Sequence, residues 1–338
     1  MVILKTPEAI INIESLPNSR FSYHITESGL ENSLKDISFE SYYGERVAKA
    51  LLDMGGAERL TSELTREEGH SGLELGLKYY TLSFLPDEDF VGKRLLDFGC
   101  GCGASTFALS RIFPNSNILG LDRLEDCIKV CNLKKEQLGL DRVSFVTSSS
   151  DDQLPSTLGH IDYCILCGVY EHLLPLERRS LLHAIWAMLP VGGVLFIAQT
   201  PNRYSPIGTH VTRIPMVNFL PDRLAFYVGR WAMKKQYGID ADWERLLRGG
   251  FRGGTAHEIE RILRETGTEP LFIQPGRLGV RDPIDIWNMT KDSSNLGLVK
   301  QLAGQFCRGF KSLTGITVAP YINLAIRKRL STNLCETQ

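Results

Sequence analysis

The sequence has no long apolar run. None of its apolar stretches approaches the roughly 18 residues that a membrane-spanning helix requires. The apolar stretch at the N-terminus is interrupted by Lys5 and Pro7, which makes it too short for a secretory signal peptide. We therefore expect a cytoplasmic protein without a membrane span.

The sequence also lacks an excess of either charge. Its 38 lysines and arginines are matched by 39 aspartates and glutamates, which gives a formal net charge of -1. A protein that binds the phosphates of a nucleic acid usually carries a basic excess, so no nucleic-acid partner is expected. Low-complexity tracts are absent, and 43% of the residues are hydrophobic, as in a protein with a full core. The expected partner is a small molecule, and homo-oligomerisation stays open.

No second cysteine pair stands at a spacing typical of zinc-binding motifs. A Cys-x-x-Cys sequence does occur at Cys164 and Cys167, but it lies in a predicted strand, where residues three apart point to opposite faces. Cys127 and Cys131 share one face of a predicted helix with apolar residues, as buried residues do. We expect no metal site, and we expect reduced, buried thiols of the kind found in a reducing compartment.

Short apolar runs and amphipathic helices alternate from about residue 94 onward. This alternation predicts a parallel sheet with helices on both faces, a doubly wound α/β fold. Seven strands are predicted, at 94–98, 117–121, 143–146, 163–166, 194–198, 271–274 and 321–326.

Two regions depart from the alternation. Residues 1–90 are predicted to be a helical extension that covers the cofactor, with the better helices at 42–54 and 74–82. Residues 200–254 follow the fifth predicted strand, are rich in Pro, Arg and aromatic residues, and are predicted to be an inserted substrate-binding lid. The core domain then comprises 91–199 and 255–330.

A glycine-rich turn, Asp97-Phe-Gly-Cys-Gly-Cys-Gly103, joins the first core strand to the first core helix. Glycines there permit a tight turn and let a ligand approach the backbone and the helix N-terminus. The spacing also satisfies the dinucleotide fingerprint G-x-G-x-x-G/A. Asp97 speaks against a dinucleotide, since a carboxylate repels a pyrophosphate and attracts an ammonium or sulfonium group. Asp122, at the end of the second strand, supplies an acid for ribose hydroxyls, which either ligand would use.

Together with Asp162-Tyr-Cys-Ile-Leu-Cys-Gly-Val-Tyr-Glu-His-Leu173 and Leu189-Pro-Val-Gly-Gly-Val194, these motifs resemble a class I S-adenosylmethionine-dependent methyltransferase. The similarity is strongest to the small-molecule group of the ubiquinone and menaquinone biosynthetic enzymes. It covers about residues 90–200, with weaker support from 255–327. It implies a Rossmann-like, mostly parallel seven-stranded sheet and S-adenosylmethionine as cofactor.

The resemblance also implies roles for particular residues. The methionine end of the cofactor would lie against Asp97, Gly99 and Gly101 and against the backbone of Cys167 and Gly168. The ribose would be held by Asp122, with Arg123 beside it. Independently of the resemblance, Tyr80 is expected near the ligand, because it lies just before the core in the N-terminal region that would cover the cofactor. For adenine, Asp151 is favoured and Ser150 is the second choice, because the segment Ser149-Ser-Asp-Asp152 departs from the family's usual Gly-Asp-Ala.

The residues expected to act on the acceptor are chosen by their position in the sequence. His172 follows the fourth core strand, beside the methyl donor, and His210 lies in the inserted lid; either could act as a general base, or serve only the loop structure or the surface. The predicted lid holds an excess of basic residues, which suggests an anionic, amphipathic acceptor. Two alternatives stay open. The basic residues could form a solvated helix face, or Arg203 and Arg213 could pair with surface acids such as Asp222. The expected substrate contacts are Tyr170, Arg203, Tyr204, Arg213, Phe219 and Tyr227.

Three functions remain open from the sequence. The leading one is methyl transfer to a small organic acceptor, by in-line displacement that depends mainly on positioning. A nicotinamide-dependent oxidoreductase is the second, and a cofactor-binding scaffold without catalysis is the third. The acceptor, and whether its oxygen, nitrogen or carbon is methylated, stay undetermined.

Overall fold

Alternating apolar residues build the N-terminal region as an antiparallel sheet. The computed structural model describes residues 1–27, 36–68, 72–148, 154–206, 214–238, 240–290 and 297–330. Its first strands are β1 (Val2–Lys5), β2 (Ala9–Ser15), β3 (Phe21–Glu27) and β4 (Ile37–Ser41), paired in that order. Ile11 is fully buried whereas its neighbour Ile10 is exposed. The prediction of a helical extension is therefore wrong for β1 to β4, because in these strands the apolar residues alternate with a period of two.

Helices take over after the fourth strand. Helix α1 (Glu45–Glu67) and helix α2 (Leu73–Leu82) agree with the two predicted helices, although α1 continues well past its predicted end. The sheet packs its buried face on α1, and their shared core extends to Cys102 and Cys127 of the central domain. The N-terminal sheet and helix α1 thus contact the region of the glycine turn.

A seven-stranded sheet forms the central domain, as the alternation predicts. Its strands run in the order β10-β11-β9-β8-β5-β6-β7, and β11 is antiparallel to both of its neighbours. Those strands are β5 (Arg94–Phe98), β6 (Asn117–Asp122), β7 (Val143–Thr147), β8 (Tyr163–Cys167), β9 (Val194–Pro201), β10 (Glu269–Ile273) and β11 (Tyr321–Arg329). The Rossmann-like fold class predicted from the sequence is confirmed.

Helices cover both faces of this sheet. Consecutive strand residues alternate between two cores, so that Leu95 packs in the core beneath α2 and α3 and Leu96 in the core beneath α5 and α9. The helices after α2 are α3 (Ala104–Ile112), α4 (Glu125–Leu138), α5 (Pro175–Met188), α6 (Asp222–Ala232), α7 (Lys234–Tyr237), α8 (Trp243–Arg248), α9 (Ala256–Arg264), α10 (Pro283–Thr290) and α11 (Gly297–Thr314). No helix in these ranges is long and apolar enough to cross a membrane.

The segment after β9 carries a small core of its own. Val217, Ala225, Leu246 and Phe251 are buried together there, between α6 and α8. A bridge between Asn202 and Gly254 joins the two ends of the segment. The segment therefore begins and ends at the carboxyl edge of the sheet, where β8 and β9 also end.

Candidate active site

The glycine turn between β5 and α3 has a backbone that only glycine adopts easily. Gly99, Gly101 and Gly103 have φ values of 74°, 55° and 89°, in the left-handed region. A Cβ on Gly99 would lie 2.7 Å from Cγ2 of Val169, which leaves no room for a side chain. The Gly101 N–H donates to Oδ2 of Asp122 at 2.8 Å. The turn is thereby fixed to the end of the neighbouring strand β6.

Asp97 lies beneath this turn. The hydroxyls of Ser105 and Thr106, in the first turn of α3, each donate to its Oδ2 at 2.6 Å. Burial raises the pKa of Asp97 to about 6, and those two hydrogen bonds and the charge of Arg66 oppose the rise. Because the carboxyl group is buried and already accepts two hydrogen bonds, it holds the turn to the helix.

Two cavities lie along the carboxyl edge of the sheet and meet at Gly168 and His172, which line both. The smaller measures about 330 Å³ and the larger about 520 Å³. The smaller is lined by Phe98, Gly99, Leu121, Asp122, Arg123, Leu124, Ser148, Val169, Leu173 and Arg248. The larger is lined by Arg66, Gly72, Leu73, Tyr80, Glu171, Gln199, Trp287, Thr290, Tyr321 and Asn323.

The smaller cavity combines an acid with apolar walls. Asp122 accepts hydrogen bonds from the backbone N–H groups of Gly101 and Leu124, at 2.8 and 2.9 Å, and its carboxylate still faces the cavity. Leu121, Leu124 and Val169 supply flat apolar surface nearby. A carboxylate beside apolar walls and a glycine turn fits a nucleoside, whose ribose presents two hydroxyls and whose base presents a flat ring.

Glu171 is a buried acid in the wall of the larger cavity. Its side chain has no exposure to solvent. Oε2 accepts a hydrogen bond from the Thr200 hydroxyl at 3.3 Å, while Oε1 has no hydrogen-bond partner among the described residues. Burial raises the pKa of Glu171 to about 7. An acidic group of this kind can exchange a proton near neutral pH.

His172 stands where the two cavities join. Its Nδ1–H donates to the backbone carbonyl of Arg248 at 2.7 Å, because a carbonyl can only accept. In the neutral ring the lone pair is then on Nε2, which lies 3.9 Å from Oε1 of Glu171. Burial lowers the pKa of His172, which favours the neutral form. The two side chains therefore present a carboxyl oxygen and a basic nitrogen close together.

The N-terminal helices contribute to the larger cavity. The Tyr80 hydroxyl accepts a hydrogen bond from Nε2 of Gln199 at 3.0 Å, which joins α2 to the end of β9. Arg66, near the end of α1, lines the same cavity and lies close enough for its charge to lower the pKa of Asp97 and Cys167, although burial raises both overall.

Of the residues selected from the sequence, the structure brings together Gly99, Asp122, Arg123, Gly168, His172 and Tyr80 around the two cavities. Cys167 is buried directly before Gly168, and Gly101 donates to Asp122.

Several expected substrate contacts lie elsewhere. Tyr170 is wholly buried, and the Arg178 guanidinium lies 4.7 Å from the centre of its ring, so Tyr170 packs within the core. Arg203 lies 3.7 Å from Asp222, which is the surface pairing that the sequence left open as an alternative. Tyr204, Phe219 and Tyr227 are exposed on the segment after β9 and are not part of either lining. Ser150, Asp151, His210 and Arg213 lie outside the described residues.

Sequence reasoning missed Glu171 and Arg66. Glu171 stands in the motif Tyr170-Glu171-His172, but nothing in the sequence indicates that its side chain is buried. Arg66 precedes the glycine turn by a long stretch of chain, and no local pattern connects the two. Within the described ranges, no three His, Cys, Asp or Glu side chains are arranged to hold a metal ion.

Comparison with known proteins matches part of this chain to methyltransferases. Residues 95–193 match the family model described as a methyltransferase domain. A release factor glutamine methyltransferase from Buchnera aphidicola is 30% identical over 96 residues, which are 25% of this chain and 35% of that protein. A human mitochondrial ubiquinone biosynthesis O-methyltransferase is 28% identical over 114 residues, 33% of this chain and 30% of that one.

A longer match is found with a ubiquinone biosynthesis O-methyltransferase from Ruegeria pomeroyi, 26% identical over 185 residues, which are 55% of this chain and 63% of that protein. The chain thus spans about a third of the first two relatives and less than two thirds of the third. Among solved structures, an O-methyltransferase family protein from Burkholderia thailandensis aligns with a TM-score of 0.44 and 13% identity, over 82% of this chain and 61% of that one.

Proposed function

We propose that this chain, whose residues 95–193 form a class I S-adenosylmethionine-dependent methyltransferase domain, methylates a hydroxyl oxygen of a small organic acceptor held in the larger cavity. The observation that carries the proposal is the pairing of Glu171 Oε1 with His172 Nε2, 3.9 Å apart, at the place where the two cavities meet. A hydroxyl group must lose a proton during methylation, and these two atoms can accept one.

The smaller cavity fits the nucleoside end of S-adenosylmethionine. Asp122 would accept hydrogen bonds from the ribose hydroxyls, with Arg123 beside it, and the leucines would flank the adenine ring. The backbone at Gly168 and the guanidinium of Arg66 would hold the methionine end, since an arginine pairs well with a carboxylate. When bound, the cofactor supplies a methyl group that is already activated by its sulfonium.

Glu171 and His172 would remove the proton of the acceptor. Burial raises the pKa of Glu171 to about 7, which makes its carboxylate a stronger base than an exposed one. His172 is held in one orientation by its hydrogen bond to Arg248, with the lone pair on Nε2. The Glu171 side chain has no exposure to solvent, which limits its competing hydration.

The larger cavity favours an amphipathic acceptor. Trp287, Tyr321 and Leu73 supply aromatic and apolar surface, whereas Gln199 and Asn323 supply amides. The curated relatives include ubiquinone biosynthesis O-methyltransferases, and a hydroxylated aromatic ring would suit this lining. The residues expected to bind an anionic group of the acceptor do not line the cavity: Arg203 pairs with Asp222, and Arg213 lies outside the described ranges.

Calorimetric titration tests the cofactor assignment. We expect S-adenosylmethionine and its demethylated product S-adenosylhomocysteine to bind, and NAD to give no heat. A panel of small phenols, hydroxy acids and amines, incubated with S-adenosylmethionine and analysed by mass spectrometry, then tests the acceptor class. Methylation of amines alone would contradict the hydroxyl proposal. Cofactor binding without methylation of any compound would favour a scaffold instead.

Glu171→Gln tests the proton acceptor. The amide keeps the shape of the side chain but cannot take the proton, so we expect kcat to fall at least 100-fold, within the range of about 10²–10⁴ that positioned acid–base groups contribute. The Kd for S-adenosylhomocysteine should stay within about twofold of the wild-type value, because the cofactor needs no proton acceptor there. In the wild type, kcat should rise with pH through about 7, where the Glu171 carboxyl group ionises. A variant with wild-type kcat would remove Glu171 from the mechanism.

A further inference from the structure

Two cysteines lie side by side beneath the glycine turn. Cys102 belongs to the turn itself and Cys127 to the first part of helix α4. Their Sγ atoms are 3.6 Å apart, and both side chains are buried. The two cysteines therefore belong to two elements that border the smaller cavity. The turn lines the cavity with Gly99, and the residue that precedes α4, Leu124, lines it as well.

A guanidinium group from a third element lies against both thiols. Nη2 of Arg59, on helix α1, is 3.5 Å from the Cys102 sulfur and 3.7 Å from the Cys127 sulfur. A positive charge at this distance stabilises a thiolate. The contact with the Cys127 thiol, assisted by Arg59, lowers the pKa of Cys102 to about 7 despite its burial, and the same contact raises the pKa of Cys127.

We propose that Cys102 and Cys127 are a redox-modification site, at which a peroxide converts the two thiols into a disulfide that ties the glycine turn to helix α4. The proposal goes beyond methyl transfer, although its effect on the cofactor rests on the proposed role of the turn. The other five described cysteines are buried as well; the charges of Arg66 and Arg308 act on Cys167 and Cys307, but burial keeps the pKa of both thiols raised.

Hydrogen peroxide is the oxidant that accepts the two electrons of disulfide formation. The Cys102 thiolate attacks one oxygen of hydrogen peroxide, which forms a sulfenic acid and releases hydroxide. The Cys127 thiol then attacks the sulfenyl sulfur, the S–S bond forms, and water leaves. The hydroxide takes up the proton that the Cys102 thiol lost on ionising. In all, two thiols lose two electrons, and one peroxide is reduced to two molecules of water. A thiol reductant reverses the step by exchange.

Closing the disulfide must displace the turn. The sulfurs have to approach from 3.6 Å to about 2.05 Å, the length of an S–S bond. The Cys102 carbonyl is held by the buried Lys134 ammonium at 3.0 Å, and the preceding Gly101 N–H is held by Asp122. Movement of Cys102 toward α4 therefore strains the hydrogen bond that positions the carboxylate in the smaller cavity. We expect the oxidised protein to bind the cofactor more weakly.

The test is peroxide treatment of the full chain, followed by alkylation of the remaining thiols, digestion without reduction and mass spectrometry. The expected result is a linked pair of peptides that contain Cys102 and Cys127, which disappears after dithiothreitol. Titration with S-adenosylhomocysteine should show a Kd at least fivefold higher after oxidation, restored by dithiothreitol. Cys127→Ser should give no linked peptides and a Kd that peroxide does not change.

Matched variants separate this site from general oxidation. Cys307→Ser should behave as the wild type, because Cys307 lies in a separate small core with Ile284 and Val318. Arg59→Met should slow disulfide formation several-fold, whereas Arg46→Met, on the exposed side of the same helix, should not. Thermal unfolding of each variant establishes that it folds.

Three results would overturn the proposal: no linked peptides, a link between Cys100 and Cys131 instead, or a Cys102–Cys127 link that leaves the Kd unchanged. If the untreated protein does not bind S-adenosylhomocysteine, the proposed function fails, and the peptide map with the Arg59→Met rate still decides whether the redox site exists.

Discussion

Asp97 and Asp122 both lie next to the glycine turn, but the structure gives them different surroundings. Asp97 is buried and accepts hydrogen bonds from Ser105 and Thr106, so that it holds the turn from below. Asp122 accepts hydrogen bonds from the backbone N–H groups of Gly101 and Leu124 and lines the smaller cavity. The sequence motif predicts that Asp97 contacts the methionine end of the cofactor and that Asp122 contacts the ribose. Both contacts stay predictions, and of the two residues Asp122 lines the smaller cavity.

Asp122→Ala should weaken cofactor binding at least tenfold. The substitution removes an ionised acceptor for two ribose hydroxyls, and hydrogen bonds to charged groups contribute about 1.5–3 kcal/mol each. It also frees the Gly101 N–H and so loosens the turn. Titration with S-adenosylhomocysteine measures the effect. Asp126→Ala is the control, because Asp126 is exposed nearby and pairs with Lys129. An unchanged Kd in a folded Asp122→Ala variant would refute the ribose assignment.

The buried carboxyl group of Glu171 should make stability depend on pH. Burial raises its pKa from 4.5 to about 7, so the folded protein binds this proton more tightly than the unfolded chain. The stabilisation is complete below the unfolded pKa and is lost as the pH rises through about 7. Glu171→Gln has no such loss. Relative to wild type, its free energy of unfolding should increase between about pH 5 and pH 8, by at most about 3 kcal/mol.

Denaturant titrations of both proteins at the two pH values measure this difference. Glu177→Gln serves as the control, since Glu177 is partly exposed and paired with Arg248. A pH dependence that is the same in wild type and Glu171→Gln would show that the Glu171 carboxyl group titrates normally.

The N-terminal sheet is the element that the sequence least revealed, and it contributes to the core beneath the glycine turn. Its inward residues pack on α1, and this core includes Cys102, Cys127 and Val130. The sheet thus supports the turn and the first part of α4 through α1 without touching either cavity. Stability of the site should depend on residues that no ligand contacts.

Ile11→Ala and Ile10→Ala compare the two faces of β2. Ile11 is fully buried and pairs across the sheet with Ile25, whereas Ile10 is 36% exposed. Removing a buried Ile side chain leaves a cavity and costs about 2–5 kcal/mol, so Ile11→Ala should lower the unfolding midpoint clearly. Ile10→Ala should change the free energy of unfolding by about 0.5 kcal/mol or less. Equal effects of the two substitutions would contradict the observed register.

The elements that the sequence predicted well are those with one unambiguous pattern. β5 was predicted residue for residue, and β8 ends at Cys167, one residue past its prediction, because fully apolar runs between turns are typical of buried parallel strands. Strands β1 to β4 were not predicted, because each is short and half exposed. Over so short a stretch, alternating apolar residues are difficult to distinguish from helical spacing. The helices α10 and α11 were not predicted either.

The site itself could be predicted only in part. The smaller cavity, proposed for the cofactor, follows from Gly99, Asp122 and Gly168, which stand at strand ends and carry a local motif. The larger cavity, proposed for the acceptor, depends on tertiary packing, since Arg66, Trp287 and Tyr321 come from separate elements with no shared pattern. Burial, which gives Glu171 its raised pKa, cannot be read from a loop sequence.

Considered as a whole, the molecule builds its larger cavity from segments spread along the chain. Helices α1 and α2 supply one wall, the loop after β8 another, and α10 and β11 a third. The segment after β9, which the composition favoured as the acceptor site, keeps its own core and presents Tyr227 and Trp231 to solvent. An arginine of α1, Arg66, lines the larger cavity, and from the segment after β9 Arg248 reaches the lining of the smaller one.

Arg66→Lys and Arg203→Lys test which arginine serves the site. Arg66 lines the larger cavity, and lysine cannot reproduce its bidentate pairing with a carboxylate, so Arg66→Lys should raise the Kd for S-adenosylhomocysteine about tenfold. Arg203 pairs with Asp222 and lines neither cavity, so Arg203→Lys should leave both that Kd and the acceptor KM within about twofold. A raised acceptor KM in Arg203→Lys would restore the segment after β9 as the binding surface for an anionic acceptor.

The reversed strand β11 also determines when the site can exist during biosynthesis. Tyr321 and Asn323 line the larger cavity, and the Asn323 side chain accepts a hydrogen bond from the Gln199 N–H at 3.2 Å. These residues follow every other lining residue in the chain. A polypeptide still being translated can complete the glycine turn and β5 to β9, but it lacks one wall of the acceptor cavity until β11 leaves the ribosome and inserts beside β9. We therefore expect a nascent chain that lacks β11 to hold the proposed acceptor poorly, even where its glycine turn is complete.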